Sequence, residues 1–186
     1  MRPPHDPYAV LRQPNFRRFL LGSTCALFGQ AMVATGIGWD IYERTGSALA
    51  LGWVGLVLFV PVVLLALPAG QLADRYDRRK IVVFALSLMV VSSLGLAAST
   101  FFAMPLWAIY AFLLVAGTAQ AFLSPAKSAL LPATVESEHL SGAVTWATGV
   151  HQFAFLAGPA AAGLLIGATG SVLGVYLLDG VGALIF

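Results

Sequence analysis

The sequence predicts an all-α integral membrane protein with six transmembrane helices. Of its 186 residues, 59% are hydrophobic and 10% are charged, and the mean hydropathy is +0.88. Soluble globular domains carry about 25% charged residues, so the composition excludes that class. The apolar residues fall in long runs, such as 48–69 and 81–98. At about 1.5 Å per residue, each of these runs is long enough to cross a bilayer.

Charge and cysteine usage exclude several other kinds of protein. The formal net charge of +2 is too small for nucleic-acid binding. The one cysteine, Cys25, cannot form a disulfide within the chain. Histidines and cysteines do not recur with the spacing of metal ligands. We therefore expect no metal, no bound cofactor and no nucleic-acid partner, and we expect the lipid bilayer as the surroundings.

Turn residues and charges divide the chain into an arm and six helices. Residues 1–15 are a polar, proline-bearing N-terminal arm, and 16–186 are the bundle. The predicted helices are about 16–40, 48–73, 79–100, 105–124, 141–168 and 172–186. The last of these spans roughly 22 Å, short of a hydrocarbon core of ~30 Å. We therefore expect the sixth helix to be truncated and the chain to be part of a longer protein.

Small residues form a stripe along one face of the first predicted helix. They recur at helical spacing, and they are Gly22, Ala26, Gly29, Val33 and Gly36. Small side chains allow the backbones of membrane helices to approach closely. The stripe therefore predicts a face that packs against another helix.

Basic residues mark one end of the predicted bundle. Nine of the ten lysines and arginines lie in or beside the N-terminal arm, the second-to-third connection and the fourth-to-fifth connection, and Arg44 alone lies on the other side. Cytoplasmic loops of membrane proteins carry an excess of lysine and arginine. The sequence therefore predicts a multi-pass protein with a cytoplasmic N-terminus.

The connection between the second and third helices carries a specific motif. Residues 70–80 read GQLADRYDRRK and hold six of the eighteen charged residues. This order resembles the signature between the second and third helices of the major facilitator superfamily, with Asp77 in place of its second glycine. The matching residues are Gly70, Leu72, Ala73, Asp74, Arg75, Arg78 and Arg79.

The resemblance implies that this connection is a cytoplasmic gate. On the residues alone, Gly70 would allow close helix approach. Asp74 would accept hydrogen bonds at the start of the third helix, where the helix dipole favours an anion, and Arg78 would pair with Asp74. The alternative is an ordinary basic loop that only orients the protein.

The fifth helix is similar to the antiporter motif of the same superfamily. The matching residues are Gly149, Gly158, Pro159 and Gly163, while Ala154 and Ala162 replace two further glycines. The resemblance implies export, and a helix rich in glycine would bend and pack tightly. The alternative is close packing without a coupling role.

The fourth helix departs from the superfamily pattern. Gln120 is present, but Gly117 stands where the family motif has an arginine and Ala121 where it has a glycine. If protons drive transport, another group must carry them. Residues 42–51 and 122–135 also resemble the siderophore- and drug-exporter branch, which shares the turn at 45–47 (TGS) and the helix end at 124–127 (SPAK). The resemblance implies the first half of a twelve-helix fold, built as two three-helix inverted repeats.

Five polar side chains in the predicted helices are candidates for contact with a substrate or coupling ion. Such groups inside a membrane usually face a cavity or a partner. Asp179 is either a protonated carrier or a neutral or helix-capping acid near the outer interface. Asp40 is expected at a solvated interfacial position, and His151 is either a titrating group or a buried neutral histidine bonded to a neighbour. Gln30 and Gln120 lie mid-span and suit helix–helix hydrogen bonds or substrate contacts.

The resemblance and the residues together predict a secondary active transporter, not an enzyme. The expected activity is ion-coupled export of a small organic molecule, of the drug or siderophore class, across a bacterial cytoplasmic (inner) membrane by alternating access. Expected partners are the substrate, a proton or other coupling ion, and a second six-helix half from a missing C-terminal region or another chain. Two alternatives stay open: an inactive or partner-dependent transporter fragment, and a membrane lipid-modifying enzyme that uses Asp74 and Asp77.

Overall fold

The described part of the chain is a bundle of six α-helices. In the computed structural model, residues 8–186 are described, apart from the side chains of Ala73 and Asp74. The helices are α1 (Pro14–Thr45), α2 (Ala48–Arg75), α3 (Arg78–Phe101), α4 (Leu106–Leu130), α5 (Leu140–Thr169) and α6 (Leu173–Ile185). The first five are long and apolar enough to cross a membrane, and α6 is a shorter apolar helix. The predicted multi-pass helical architecture is confirmed. Residues 1–7 of the predicted arm lie outside the described part.

The helix ends follow from local sequence. Pro14 stands in the first turn of α1, where a missing N–H has no intrahelical partner to lose. Gly46 after α1 and Gly170 after α5 both adopt the left-handed conformation, with φ of 60° and 66°. A residue without Cβ takes this conformation at little cost, which explains the sharp ends of both helices.

Every extensive contact in the bundle joins a helix of the first three to a helix of the last three. α1 packs against α5 and α6, α4 packs against α2 and α3, and α3 packs against α6. If α1 is swapped with α4, α2 with α5 and α3 with α6, the same set of helix pairs is in contact. Because each unit has an odd number of spans, the second unit crosses the membrane in the reverse direction. This confirms the predicted pair of three-helix inverted repeats.

The small-residue stripe of α1 is the contact surface for α6. A Cβ atom at Gly29 would lie 2.7 Å from the Cα of Asp179, and one at Gly36 would lie 3.1 Å from Val175. A Cβ atom at Gly22 would meet the residue that follows α6 at 2.8 Å. The prediction that this face packs against another helix is therefore confirmed.

α4 continues beyond its predicted end near residue 124. It runs to Leu130 and includes Pro125, so much of the expected polar connection 124–140 is helical. Leu123 and Ala126 are buried in a cluster with α3 residues such as Ala85. This burial stabilises the additional helical turns, and the polar local sequence does not indicate them.

The basic residues gather at one end of the bundle, which we call the basic end. Arg18 of α1 and Arg79 of α3 line the same groove there, beside the last residues of α6. The connection between α2 and α3 is a tight turn at this end, because only Tyr76 and Asp77 separate the two helices. Both side chains are exposed. Arg44 lies at the opposite end, against the loop between α3 and α4.

Candidate functional site

A cavity of about 190 Å³ lies inside the bundle, and we call it the central cavity. Its lining comes from α1, α2, α3, α4 and α6 and is mostly apolar. Three of the predicted candidates line it together: Gln30 midway along α1, Gln120 midway along α4, and Asp179 of α6. Ser92 and Ser93 of α3 add hydroxyl groups. The cavity therefore combines an apolar wall with a few convergent polar groups, as small-molecule sites do.

Asp179 is buried against α3. Its side chain is 4% exposed, and its Oδ2 lies 2.5 Å from the Oγ of Ser93. The same Oγ also lies within hydrogen-bond distance, 2.9 Å, of the main-chain oxygen of Met89. Asp179 Oδ1 has no hydrogen-bond partner within residues 8–186. The expectation of a helix-capping acid near the outer interface is therefore wrong, because neighbouring helices enclose this carboxyl group.

A glycine of α1 makes room for this carboxyl group. A Cβ atom at Gly29 would lie 2.9 Å from Asp179 Oδ1 as well as 2.7 Å from its Cα. Real Cβ atoms do not approach other heavy atoms this closely, so alanine would displace Asp179. The amide of Gln30, the next residue, faces α3 and donates to the sulfur of Met89 at 3.1 Å.

A second cavity of about 240 Å³ adjoins the first, and we call it the basic cavity. Gln30 and Gln120 line both cavities. The basic cavity extends to Lys127 of α4 and His151 of α5. Lys127 Nζ lies 5.2 Å from the ring centre of Phe186, close enough for a cation–π contact. The expectation of a buried neutral histidine is wrong, because His151 is exposed on the cavity side of α5.

Asp40 lies away from both cavities, at the opposite end of the bundle. It is 5% exposed and accepts a hydrogen bond from Arg44 Nε at 2.7 Å. Tyr176 of α6 and Thr100 of α3 contact its other oxygen at 3.3 and 3.4 Å. The predicted solvated position is therefore wrong, because three helices and an arginine surround the carboxylate. Asp40 therefore connects α1, α3 and α6 at this end of the bundle, and it does not line the candidate site.

Part of the predicted gate lies outside the described residues. The backbone places Asp74 in the last turn of α2, not at the start of α3, and the predicted pair between its side chain and Arg78 falls outside the described side chains. Asp77 caps α3 instead, since it accepts a hydrogen bond from Arg79 N at 2.9 Å. A Cβ atom at Gly70 would meet nothing within 4 Å among the described residues, so no described helix approaches Gly70 closely.

Arg78 connects the gate turn to α4. Its Nη1 donates to the main-chain oxygen of Ala129 at 2.9 Å, one residue before the end of α4. A helix terminus leaves its last carbonyl groups without intrahelical donors, and a cation is favourable there. The turn between α2 and α3 is therefore tied to the other repeat. The remaining gate residues, Leu72 and Arg75, end α2 beside this turn.

The four residues of the antiporter-like pattern in α5 have different surroundings. A Cβ atom at Gly158 would lie 2.5 Å from the Cβ of Ala31, so α5 crosses α1 closely at this point. Gly149 and Gly163 meet nothing within 4 Å in the described part of the chain, and Pro159 is exposed. The prediction that the whole pattern packs tightly is therefore wrong for Gly149, Pro159 and Gly163 within the described part of the chain. It is correct for Gly158.

The glycine that replaces the family arginine in α4 has a packing reason. A Cβ atom at Gly117 would lie 2.7 Å from the main-chain oxygen of Leu58 and 3.2 Å from the ring of Pro61. An arginine here would force α2 away from α4. The departure from the family pattern is thus built into the contact between these two helices.

Comparison with known proteins identifies the family. The sequence model described as transmembrane secretion effector, of the major facilitator type, matches residues 5–186. The chain belongs to the major facilitator superfamily. The recognition made from the gate turn is confirmed. No solved structure matches the chain significantly.

Curated relatives of this major facilitator chain are bacterial transporters. Macrolide efflux protein A of Streptococcus pyogenes is 28% identical over 152 residues, which are 81% of this chain and 38% of the relative. The staphyloferrin A transporter of Staphylococcus aureus is 26% identical over 152 residues, 80% of this chain and 38% of the relative. The chain therefore spans well under half the length of the relatives it matches, and it matches transporters rather than enzymes.

The roles of three residues of the site were not predicted from the sequence. Ser93 was visible only as one of the serines that interrupt an apolar helix, and its partner Asp179 is 86 residues away. Gly29 was recognised as part of a packing stripe, but its role in seating a carboxyl group depends on where α6 lies. Lys127 was assigned to a connection and lies in α4, where it lines the basic cavity.

Proposed function

We propose that this chain is the N-terminal half of a secondary active transporter that exports a small organic molecule by alternating access. The observation that supports it best is the pair of adjoining cavities between the repeats, where a few polar groups converge on a mostly apolar wall. Gln30 of α1 and Gln120 of α4 belong to helices that the repeat exchanges, and both line the two adjoining cavities together with Asp179 or His151. Transporters built from inverted repeats bind substrate at the repeat interface near the membrane midplane.

The size of the cavities supports a site that a second half completes. Volumes of about 190 and 240 Å³ each fall below the roughly 300–1,000 Å³ of sites for drug-sized ligands. Large apolar side chains of α2 and α5 are also exposed, among them Leu64, Leu67, Leu156 and Leu164. We infer that a second six-helix bundle, from the same protein or another chain, faces these surfaces and closes the substrate site.

The substrate class follows from the relatives and the lining. One relative is named for macrolide efflux and another for staphyloferrin A. Both cavities offer an apolar wall with amide, hydroxyl and ionisable groups, which suits an amphipathic organic molecule of the drug or siderophore class. We propose coupling to a proton or other ion.

The basic end supports a cytoplasmic assignment of the N-terminus in a bacterial inner membrane. Arginines and lysines of α1, the gate turn and α4 lie at that end, and positive residues favour the cytoplasmic side. In this orientation the turn from Gly70 to Lys80 would act as the cytoplasmic gate, with Asp74 as its acidic residue. The basic cavity would then open toward the cytoplasm and take up the substrate.

The test is transport by inside-out membrane vesicles that contain the complete protein. We expect vesicles to accumulate a radiolabelled macrolide when a proton gradient is imposed, and expect Gln30→Ala and Gln120→Ala each to reduce the uptake. Gln152→Ala is the matched control, because Gln152 is an exposed glutamine of α5 outside both cavities. Equal loss in the control, or uptake unchanged in both cavity variants, would contradict the proposed substrate site.

A partner-dependent fragment is the second candidate, favoured by the 38% coverage of the relatives. In that case the chain alone would insert in the membrane without transport, and co-expression with a second six-helix half would restore uptake. The lipid-modifying enzyme has less support. Asp77 serves as a helix cap, and no group of three histidine, cysteine or acidic side chains suited to a metal occurs among the described residues.

A further inference from the structure

We propose that Asp179 is the proton-carrying group of this transporter, that it is protonated in the conformation described, and that Ser93 is its positioning residue. The inference rests on the proposed function for its coupling role. The protonation itself rests on the hydrogen-bond geometry and can be tested without any substrate.

The two short contacts of Ser93 point to a protonated acid. Ser93 Oγ lies 2.5 Å from Asp179 Oδ2 and 2.9 Å from the main-chain oxygen of Met89. A serine hydroxyl carries one hydrogen, so it can make a full hydrogen bond to one of these oxygens only. If Asp179 is ionised, the other contact is between two oxygens with no hydrogen between them. If Asp179 is protonated, its O–H donates to Ser93 Oγ and Ser93 donates to Met89, and both short contacts are hydrogen bonds.

Within residues 8–186, the lining of the central cavity contains no cation that would hold an ionised carboxylate, and Asp179 is its single ionisable residue. A buried carboxylate without a partner is costly inside a membrane protein, and protonation removes that cost. Asp40 offers the contrast within the same bundle, since Arg44 lies 2.7 Å from its Oδ1.

The charged and titratable groups on the packed helices lie elsewhere. On α1 the charged groups are near the two ends of the helix, and the thiol of Cys25 is exposed outside the lining of the central cavity. On α3 the sequence has no such group between Ile81 and Phe101. α4 contributes Lys127, and α5 contributes His151, both to the basic cavity. On α6 itself Tyr176 bonds to Asp40 and not to Asp179. The other charged and titratable groups on these helices are Arg17, Arg18, Cys25, Asp40, Tyr42, Glu43 and Arg44 of α1, Arg78, Arg79 and Lys80 of α3, and Tyr110 of α4.

The free oxygen of Asp179 gives the proton and the substrate a shared site. Oδ1 is buried without a hydrogen-bond partner in the described part, and its residue lines the cavity beside Gln30 and Gln120. When the acid O–H bond breaks, the proton passes to water in the cavity. The carboxylate left behind accepts hydrogen bonds from a substrate ammonium or hydroxyl group. Protonation removes the negative charge that attracts a substrate ammonium group, so binding of such a substrate and binding of the proton oppose each other, which is the linkage an antiporter needs.

The protonation is tested by infrared difference spectroscopy of the complete protein, with pH as the only variable. We expect a titrating carbonyl-stretch band of a protonated carboxyl group, which Asp179→Asn abolishes. Ser93→Ala should shift the frequency of this band without removing it, because the hydrogen-bond partner changes. Asp40→Asn, at the other buried aspartate of the described residues, should leave the band in place. Persistence of the full band in Asp179→Asn, or an unmoved band in Ser93→Ala, would overturn the assignment.

The coupling role is tested in vesicles with a labelled macrolide. We expect Asp179→Asn to lose gradient-driven accumulation and to bind labelled macrolide more weakly than the wild-type protein, because the neutral amide imitates the protonated acid, which disfavours the substrate. If the band depends on Asp179 but accumulation in Asp179→Asn keeps its normal pH dependence, the coupling role is overturned. If the wild-type protein moves no macrolide, the proposed substrate class fails, and the infrared band still decides whether Asp179 carries the proton.

Discussion

Replacing Gly29 by alanine tests the contact that seats Asp179 between α1 and α3. The added Cβ atom would lie 2.7 Å from the Cα of Asp179 and 2.9 Å from its Oδ1. Non-bonded carbon atoms are most stable about 3.5–4.0 Å apart, so the overlap is about 1 Å. Backbone forms part of this contact, and a rotamer change of one side chain cannot relieve it. Either α6 moves away from α1 or Asp179 leaves Ser93.

The expected cost follows from overpacking of a buried contact. Such substitutions destabilise proteins by about 1–3 kcal/mol. For a domain of about 150–250 residues, each kcal/mol lowers the melting temperature by about 2–4 °C. We therefore expect Gly29→Ala to melt about 2–12 °C below Gly38→Ala, a substitution in the same helix without this contact, and expect the infrared band of Asp179 to shift.

Gly38→Ala in the same helix is the matched control. A Cβ atom at Gly38 meets nothing within 4 Å among the described residues. Both substitutions gain the helix propensity of alanine over glycine, about 1 kcal/mol, so the difference between them isolates the contact. Equal melting temperatures for the two variants, with an unchanged infrared band, would refute the packing of Asp179 against Gly29.

Three further predictions address other contacts of the bundle. Gly158→Ala should lower the melting temperature because α5 crosses α1 there, while Gly163→Ala, which faces open space, should not; the reverse order would contradict the crossing. Arg44→Ala should destabilise the protein by roughly 1–3 kcal/mol, since the buried Asp40 carboxylate loses its partner, and Arg44→Ala combined with Asp40→Asn should recover part of the loss in a thermal unfolding assay. Asp74→Asn should slow macrolide efflux in vesicles without reducing the amount of inserted protein, because the change affects a gate and not the hydropathy of the spans; normal efflux would count against the gate.

The helices and the gathering of basic residues at one end of the bundle could be predicted because both depend on local sequence. Hydropathy over about 20 residues identifies a membrane span, and the 3.6-residue period places Gly22, Gly29 and Gly36 on one face. The repeat architecture came from the resemblance carried by the gate turn. These inferences need no knowledge of which helices become neighbours.

The errors concern what covers a residue after the helices pack. Asp40 is buried because Thr100 and Tyr176, 60 and 136 residues away, lie over it. Gly70 and Gly163 are in recognisable motifs, but their sequence pattern does not say whether a helix of this chain approaches them. The cavity residues were found as mid-span polar groups, whereas the bond between Asp179 and Ser93 required the contact of α6 with α3.

The exchange of contacts between the repeats has a consequence for how the protein is made. The main partners of the first three helices all belong to the second repeat. α1 packs against α5 and α6, α2 packs against α4, and α3 packs against α4 and α6. During synthesis, the first three helices therefore enter the bilayer with little to hold them together. We expect this bundle to begin to form when α4 leaves the ribosome and binds α2 and α3, and expect α6 to enter between α1 and α3 afterwards.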